Sequence, residues 1–538
     1  MRDFDMANTT IKADVLVKNA NIITIDPKQP LAESLAIIGG KFVAVGRNED
    51  VKNLEGPATK IWDFEGHTII PGLIDAHIHV LSSGIRHVMC ADCDQRSIGE
   101  IINVLRERAD ITPAGEWVQG FKFDDTKTSE NRFLTKEDLD QVSTKHPIFV
   151  SHRAGHVYYV NSLGLALASV NSTTPDPPGG RFGRNPDSGE LNGVVYERAV
   201  EKFHTELLPK ANSEIRRKGI RLVNRMFTEA GLTSVHDAMT DSEDLASYQE
   251  ARDSDDLTLR IYALMHRDAF PALRDAGLRT GFGDNRLRLG GIKMVSDGAI
   301  ASRTAYLSEP YIGSETDRGI LAMSPEETEE WVMEIHRSGF QVCVHSNGDS
   351  AIAMVLEAYA KAQASFPRTN PRHRIEHCTL VNQGIIDKMK ALGVIATPFC
   401  TYVYYHGEKM RYYGNDRVNW MFAQRSFLDN GVVSTGATDY PPGPFQPLMG
   451  IQSCVTRTDM NGNQWGVNQR ISVEEALKIY TLHGAYASFE EDTKGSIQAG
   501  KLADFVVLEE NPTNVDPLSI KDIAIIKTVI GGKIVYEQ

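Results

Sequence analysis

The chain has 538 residues, is 41% hydrophobic and carries a formal charge of −14. It is long enough to bury a large core, and length alone sets an expectation of roughly three or four domains. The negative balance argues against nucleic acid, whose phosphates call for a basic face, and no run of about 18 apolar residues marks a membrane span. The opening MRDFDMANTT has no apolar stretch of signal-peptide length, so a cytosolic location is expected.

The first elements are short β patterns. ADVLVKNANIITI (13–25) is followed by SLAIIGGKFVAVG (34–46), two hydrophobic strands joined through Gly-Gly-Lys, a hairpin signal. The other end of the chain repeats the pattern in LADFVVLEE (502–510) and IIKTVIGGKIVYE (525–537). Residues 12–66 and 490–538 therefore read as one β-sandwich built from both termini. The alternative is two unrelated hairpins packed separately on the rest of the chain.

Next comes an apolar run, LIDAHIHV (73–80), that ends in His77-Ile78-His79 and places both imidazoles on one side of a strand. The following segment, 81–230, is too long for a plain crossover. It contains helical patterns (98–109, 136–143 and 212–230), β patterns (116–123 and 147–152) and a turn-rich stretch (173–190). It reads as an inserted α/β domain leaving the C-terminal end of the first strand, expected over that end. Trp117, Phe121, Phe123, Tyr158 and Tyr159 within it either line a substrate pocket or form its own core. Cys90 and Cys93 make a CxxC with no second Cys or His pair to complete a zinc site, so two ordinary thiols is the favoured reading.

Beyond the insertion, apolar runs alternate with helical patterns such as 325–339 and 351–366. Strand candidates are 68–77, 232–237, 259–265, 289–295, 340–345, 373–377, 393–397 and 432–438. This alternation predicts an α/β fold, a (β/α)8 TIM barrel formed by residues 67–80 and 231–489. Lys293 lies on the fourth candidate, His345 closes the fifth, His377 the sixth, and Asp439 follows the eighth. One histidine at a strand end is ordinary. Several at the ends of separate strands point to the barrel's C-terminal mouth and to a metal there.

The stretches IIPGLIDAHIHV (69–80), GHVYYVNS (155–162), GIKMVSDGAIASRTAYL (291–307), VHSNGDSAI (344–352), HRIEHCTLV (373–381), STGATDYPP (434–442) and GKLADFVVLE (500–509) resemble the YtcJ-like branch of the amidohydrolase superfamily, a group that includes N-substituted formamide deformylase. The resemblance implies two divalent ions, zinc foremost. His77, His79 and Asp439 would hold one ion, and His345 and His377 the other. Lys293, carboxylated by carbon dioxide, would bridge them. A lysine salt-bridged in a one-metal barrel is the structural alternative. The implied chemistry is hydrolysis of an amide-type carbon–nitrogen bond, in an N-substituted formamide or N-acyl substrate, by a metal-bridged hydroxide, with Asp439 moving the proton.

The resemblance also makes His156 a substrate-side candidate, and Arg303, just past the fourth strand, could bind a polar or anionic substrate group. His236 reads as a packing residue. Three other functions stay open: an ester or lactone hydrolase, a one-metal deaminase of a cyclic amidine (which Lys293 argues against), and a non-catalytic binding or regulatory relative. The expected partner is a small-molecule substrate, with neither nucleic acid nor a membrane, and a homodimer is left open.

Overall fold

In the computed structural model, residues 12–538 are described, apart from Ala154 and His156. Seven parallel strands make one sheet in chain order: β1 (Leu73–Ile78), β2 (Leu232–Thr240), β3 (Arg260–His266), β4 (Leu287–Val295), β5 (Val342–Ser346), β6 (Arg374–His377) and β7 (Ile395–Thr397). They read as apolar runs because each is covered on both faces. Helices follow the strands, among them Pro325–Arg337 and Asp349–Ser365. Ser324 starts the first of these by accepting a hydrogen bond from the Glu327 amide.

The eighth position differs from the sequence expectation. Residues 432–438 form no continuous strand; Ser434 bridges Ala396 and Ala437 bridges Phe399. The segment still closes the barrel. Toward β7, the Thr435 amide donates to Ala396 O at 3.0 Å and the Cys400 amide to Ala437 O at 2.8 Å. Toward β1, the Ala76 amide donates to Gly436 O at 3.0 Å and the Asp439 amide to His77 O at 2.9 Å. Gly436 explains the irregularity, since a Cβ there would stand 2.4 Å from the Tyr480 ring.

The expected strand 68–77 is likewise two strands. Thr68–Pro71 belongs to a different sheet from β1. The chain turns between them at Gly72, whose amide donates to Asp504 O and whose Cβ would collide with Thr233 Oγ1 at 2.3 Å.

Two further sheets are formed, one from N-terminal strands alone and one from strands of both ends of the chain. One has four strands in the order Lys41–Gly46, Ser34–Ile38, Val15–Lys18, Lys60–Asp63. The other has six, in the order Lys533–Glu537, Ile525–Ile530, Phe505–Leu508, Thr68–Pro71, Asn21–Ile23, Leu31–Ala32. Val17, Ile22, Leu35, Phe42, Ile69, Phe505 and Val529 share one buried core. Both Gly-Gly-Lys sequences turn hairpins, and positive φ at Gly39, Gly40, Gly531 and Gly532 is what such turns need.

Residues 81–222 form a separate compact unit. Its six-stranded sheet runs Gly180–Arg184, Leu191–Glu197, Val157–Val160, Ile148–His152, Val118–Phe123, Cys90–Asp92. Gly180–Arg184 is a strand inside the stretch read as turns, held by antiparallel pairing to Leu191–Glu197. The aromatics considered for a pocket are core instead. Phe123 and Tyr159 are fully buried in one cluster, Trp117 and Tyr158 pack in another, and Phe121 is buried against His87. Cys90 and Cys93 are free thiols, and burial pushes the Cys90 thiol up to about 11. Among the described residues no helix is long and apolar enough to cross a membrane.

Barrel and terminal sheets are joined by a buried ion pair. Arg260, opening β3, donates through Nε and Nη2 to both oxygens of Asp504, at 2.6 and 2.8 Å, just before strand Phe505–Leu508. Asp504 also accepts the Gly531 amide at 2.8 Å. Arg260→Leu leaves that carboxylate uncompensated and should cost about 3–5 kcal/mol in urea unfolding, whereas Arg260→Leu/Asp504→Leu should recover much of the loss. A single variant as stable as the parent would show that the pair holds nothing.

Candidate metal centre

His77 and His79 close β1 on the same side, and each ring is held from behind. His77 Nδ1 lies 2.5 Å from Glu376 Oε2, and His79 Nδ1 lies 2.9 Å from the Ala238 carbonyl. A carboxylate and a carbonyl only accept, so both neutral rings donate through Nδ1 and turn their Nε2 lone pairs outward. Both lone pairs meet Asp439 Oδ1, at 3.4 Å from His77 and 3.2 Å from His79. These ligand atoms all lie within 4.8 Å of one another.

Two imidazole nitrogens and a carboxylate oxygen converging this closely make a candidate cation site. Donors about 2.1 Å from a tetrahedral zinc ion stand roughly 3.4 Å apart, which matches the separations found. The donor set fits a divalent ion. Burial opposes a charge on His77, but Glu376 and Asp439 outweigh it and hold the ring above its usual value. Burial works likewise against the Asp439 carboxylate, and the histidines around it win, so it is held well below its usual range.

The other expected ligands stand beside this trio. His345 ends near the mouth on β5, and His377 closes β6; their ring centroids are 4.3 Å apart, and His377 is 4.9 Å from His77. His345 Nε2 lies 3.0 Å from both the Gly298 carbonyl and the Asn347 side-chain amide nitrogen, and it donates to the first or accepts from the second according to its tautomer. Burial first, then Lys293, lowers His345 to about 3, and burial likewise holds His377 well down, so both rings are neutral. Lys293, on β4, is only 2% exposed and makes no hydrogen bond or ion pair among the described residues. Its burial pushes the amine down against the pull of Glu376 and Asp439.

The supporting residues were not singled out in the sequence. Asp75 Oδ1 accepts the His77 amide at 3.0 Å and the Thr438 amide at 3.2 Å, while Oδ2 accepts the Thr438 hydroxyl at 2.5 Å. Asp237 accepts the Val80 amide at 2.7 Å and the Tyr248 hydroxyl at 2.6 Å. Asp297 anchors the loop after β4 to the end of β5 by accepting the amides of Tyr306, Asn347 and Gly348. Glu376 is paired with Arg374, both wholly buried. The available signal was charge inside apolar strands: Asp75 two before His77, and Arg374-x-Glu376 leading into His377.

Arg303 is exposed, with its guanidinium 5.2 Å from the Tyr412 ring centroid. His156 lies outside the described residues. His236 packs under the centre as expected, accepting from Arg374 Nη1 at 3.0 Å. A second cluster, Asp124, Asp125 and His152, sits in the 81–222 unit, where His152 pairs with Asp125 at 3.2 Å and the Arg153 cation stands 3.9 Å from Asp124.

Residues 60–536 match the amidohydrolase family. The chain is 27% identical to N-substituted formamide deformylase of Arthrobacter pascens, with 98% of each chain covered. It is also 27% identical to the putative amidohydrolase YtcJ of Bacillus subtilis, over 94% of this chain and 96% of that one. An uncharacterized metal-dependent hydrolase from Pyrococcus horikoshii shares the fold at a TM-score of 0.76 and 23% identity, over 94% of this chain and 99% of its own. The chain belongs to the amidohydrolase family and is a hydrolase.

Proposed function

We propose that the protein hydrolyses the carbon–nitrogen bond of a small amide, an N-substituted formamide or N-acyl amine, at a centre of two divalent ions. The observation that carries this reading is the meeting of two imidazole lone pairs and a carboxylate oxygen at 3.2–3.4 Å, beside two neutral histidines and an unpartnered buried lysine. The similarity to a formamide deformylase over nearly the whole chain favours that substrate class.

His77, His79 and Asp439 would hold one ion, and His345 and His377 the second. Imidazole nitrogen and carboxylate oxygen suit zinc. When bound, such ions acidify water and polarise a carbonyl oxygen. Lys293 would supply an anion beside the ions: a buried ammonium with no acceptor is costly, while its neutral amine can add carbon dioxide and lose a proton to give a carbamate. Asp439 would carry the proton: its Oδ1 lies beside the His77 and His79 rings, and its carboxylate would take a proton from attacking water and return it to the leaving nitrogen.

Purified protein grown with ample zinc and bicarbonate should contain about two ions per chain by elemental analysis. Lys293→Ala should lose an ion and activity, with partial recovery in a buffer containing a short carboxylate. A variant that keeps two ions and full rate would remove Lys293 from the centre.

Asp439→Asn should lower kcat by about 10²–10⁴-fold on a formamide, with a much smaller change in KM. Steady-state rates on formamides, N-acyl amines and esters of matched size would test both the proton carrier and the substrate class. An unchanged kcat would assign the proton elsewhere, and faster turnover of the esters would overturn the amide reading.

A further inference from the structure

A chain of buried charge runs across the barrel beneath the metal centre. β1 and β6 are not neighbours in the sheet, so a hydrogen bond between them must cross the barrel interior. His77 Nδ1 and Glu376 Oε2 make that crossing at 2.5 Å. The same Oε2 accepts from Arg374 Nη2 at 2.9 Å. Arg374 Nη2 also donates to the Ala76 carbonyl at 2.5 Å, and Nη1 donates to His236 Nδ1 at 3.0 Å. Arg374 and Glu376 are both 0% exposed.

Two things follow for His77. A neutral imidazole exchanges between two tautomers, and one would aim an N–H at Asp439 and block a cation. A carboxylate behind Nδ1 removes that tautomer, because it offers only lone pairs. A charged acceptor also makes the opposite nitrogen a stronger donor, which a backbone carbonyl does less. His79 Nδ1 meets the Ala238 carbonyl, whereas His77 Nδ1 meets a carboxylate.

We propose that Glu376, held in place by Arg374, is a positioning residue that fixes the His77 ring with Nε2 toward Asp439 and so sets the affinity of the His77–His79–Asp439 cluster for its ion. Arg374 anchors Glu376 from β6 while gripping β1 and β2, so the carboxylate cannot swing away from the ring. Nothing in the pair needs to touch substrate. This inference rests on the metal-binding reading above.

The test measures metal affinity apart from turnover. Metal-free protein is titrated with zinc against a competing chelator dye, with circular dichroism to monitor folding. Glu376→Gln should weaken the tighter ion about 10–100-fold, the usual range for losing a partner behind a metal-bound histidine. Because a lone change leaves Arg374 uncompensated, the double variant Arg374→Met/Glu376→Met is made as well. It replaces the pair by apolar side chains of similar length, a change that often preserves folding. It should fold and show the same weakening. Parent protein that binds no zinc would sink the metal reading; parent and folded double variant binding zinc equally would sink the positioning role alone.

Discussion

Asp75 is buried where β1 meets the 433–440 segment, and it accepts three hydrogen bonds, from the His77 and Thr438 amides and the Thr438 hydroxyl. The two edges that close the barrel are therefore stitched through one carboxyl group. Backbone bonds from Ala76 to Gly436 and from Asp439 to His77 continue the seam on either side. His77 and Asp439 are hundreds of residues apart in the chain, yet opposite each other at the seam. Burial, opposed by its hydrogen bonds, pushes Asp75 up to about 7, a measure of how dry the seam is.

Below the mouth the barrel departs from the usual filling of branched apolar side chains. Lys293, Arg374, Glu376 and His236 are buried in the strands instead. Buried charges of this kind seldom add stability over an apolar core. For Arg374 and Glu376 the use is directional, since they hold the His236 and His77 rings by hydrogen bonds. His377 and Asp439 add a backbone contribution of the same sort, with φ of 65° and 53°. That left-handed turn costs about 1–3 kcal/mol at a non-glycine residue. It carries the chain sharply off the strand direction where a ligand must face the centre.

The strand ends were readable because histidine and aspartate stand out against an apolar run, and a parallel barrel gathers its C-terminal ends. Glu376 was harder to see. Its partner His77 is 299 residues away, and no local pattern connects them. TIIPGLIDAH reads as one hydrophobic strand, although Gly72 divides it between two sheets. VVSTGATD has the composition of a strand, but its ladder is broken where Gly436 packs on the ring of Tyr480, a contact invisible in local sequence. The aromatics of the 81–222 unit show the same limit, since a core position and a pocket position have one composition.

The sharing of a sheet between distant segments bears on how the chain folds. Thr68–Pro71 leads directly into β1, but its antiparallel neighbour, Phe505–Leu508, lies hundreds of residues later. Until the two meet, the early strand has an open hydrogen-bonding edge, with the apolar side chains of Ile69 and Ile70 on its opposite faces. An unpaired edge of this kind invites pairing with other chains. The barrel's first strand is thus attached to a sheet that only a contact distant in sequence can complete, so the native pairing of this edge waits on loop closure over most of the barrel.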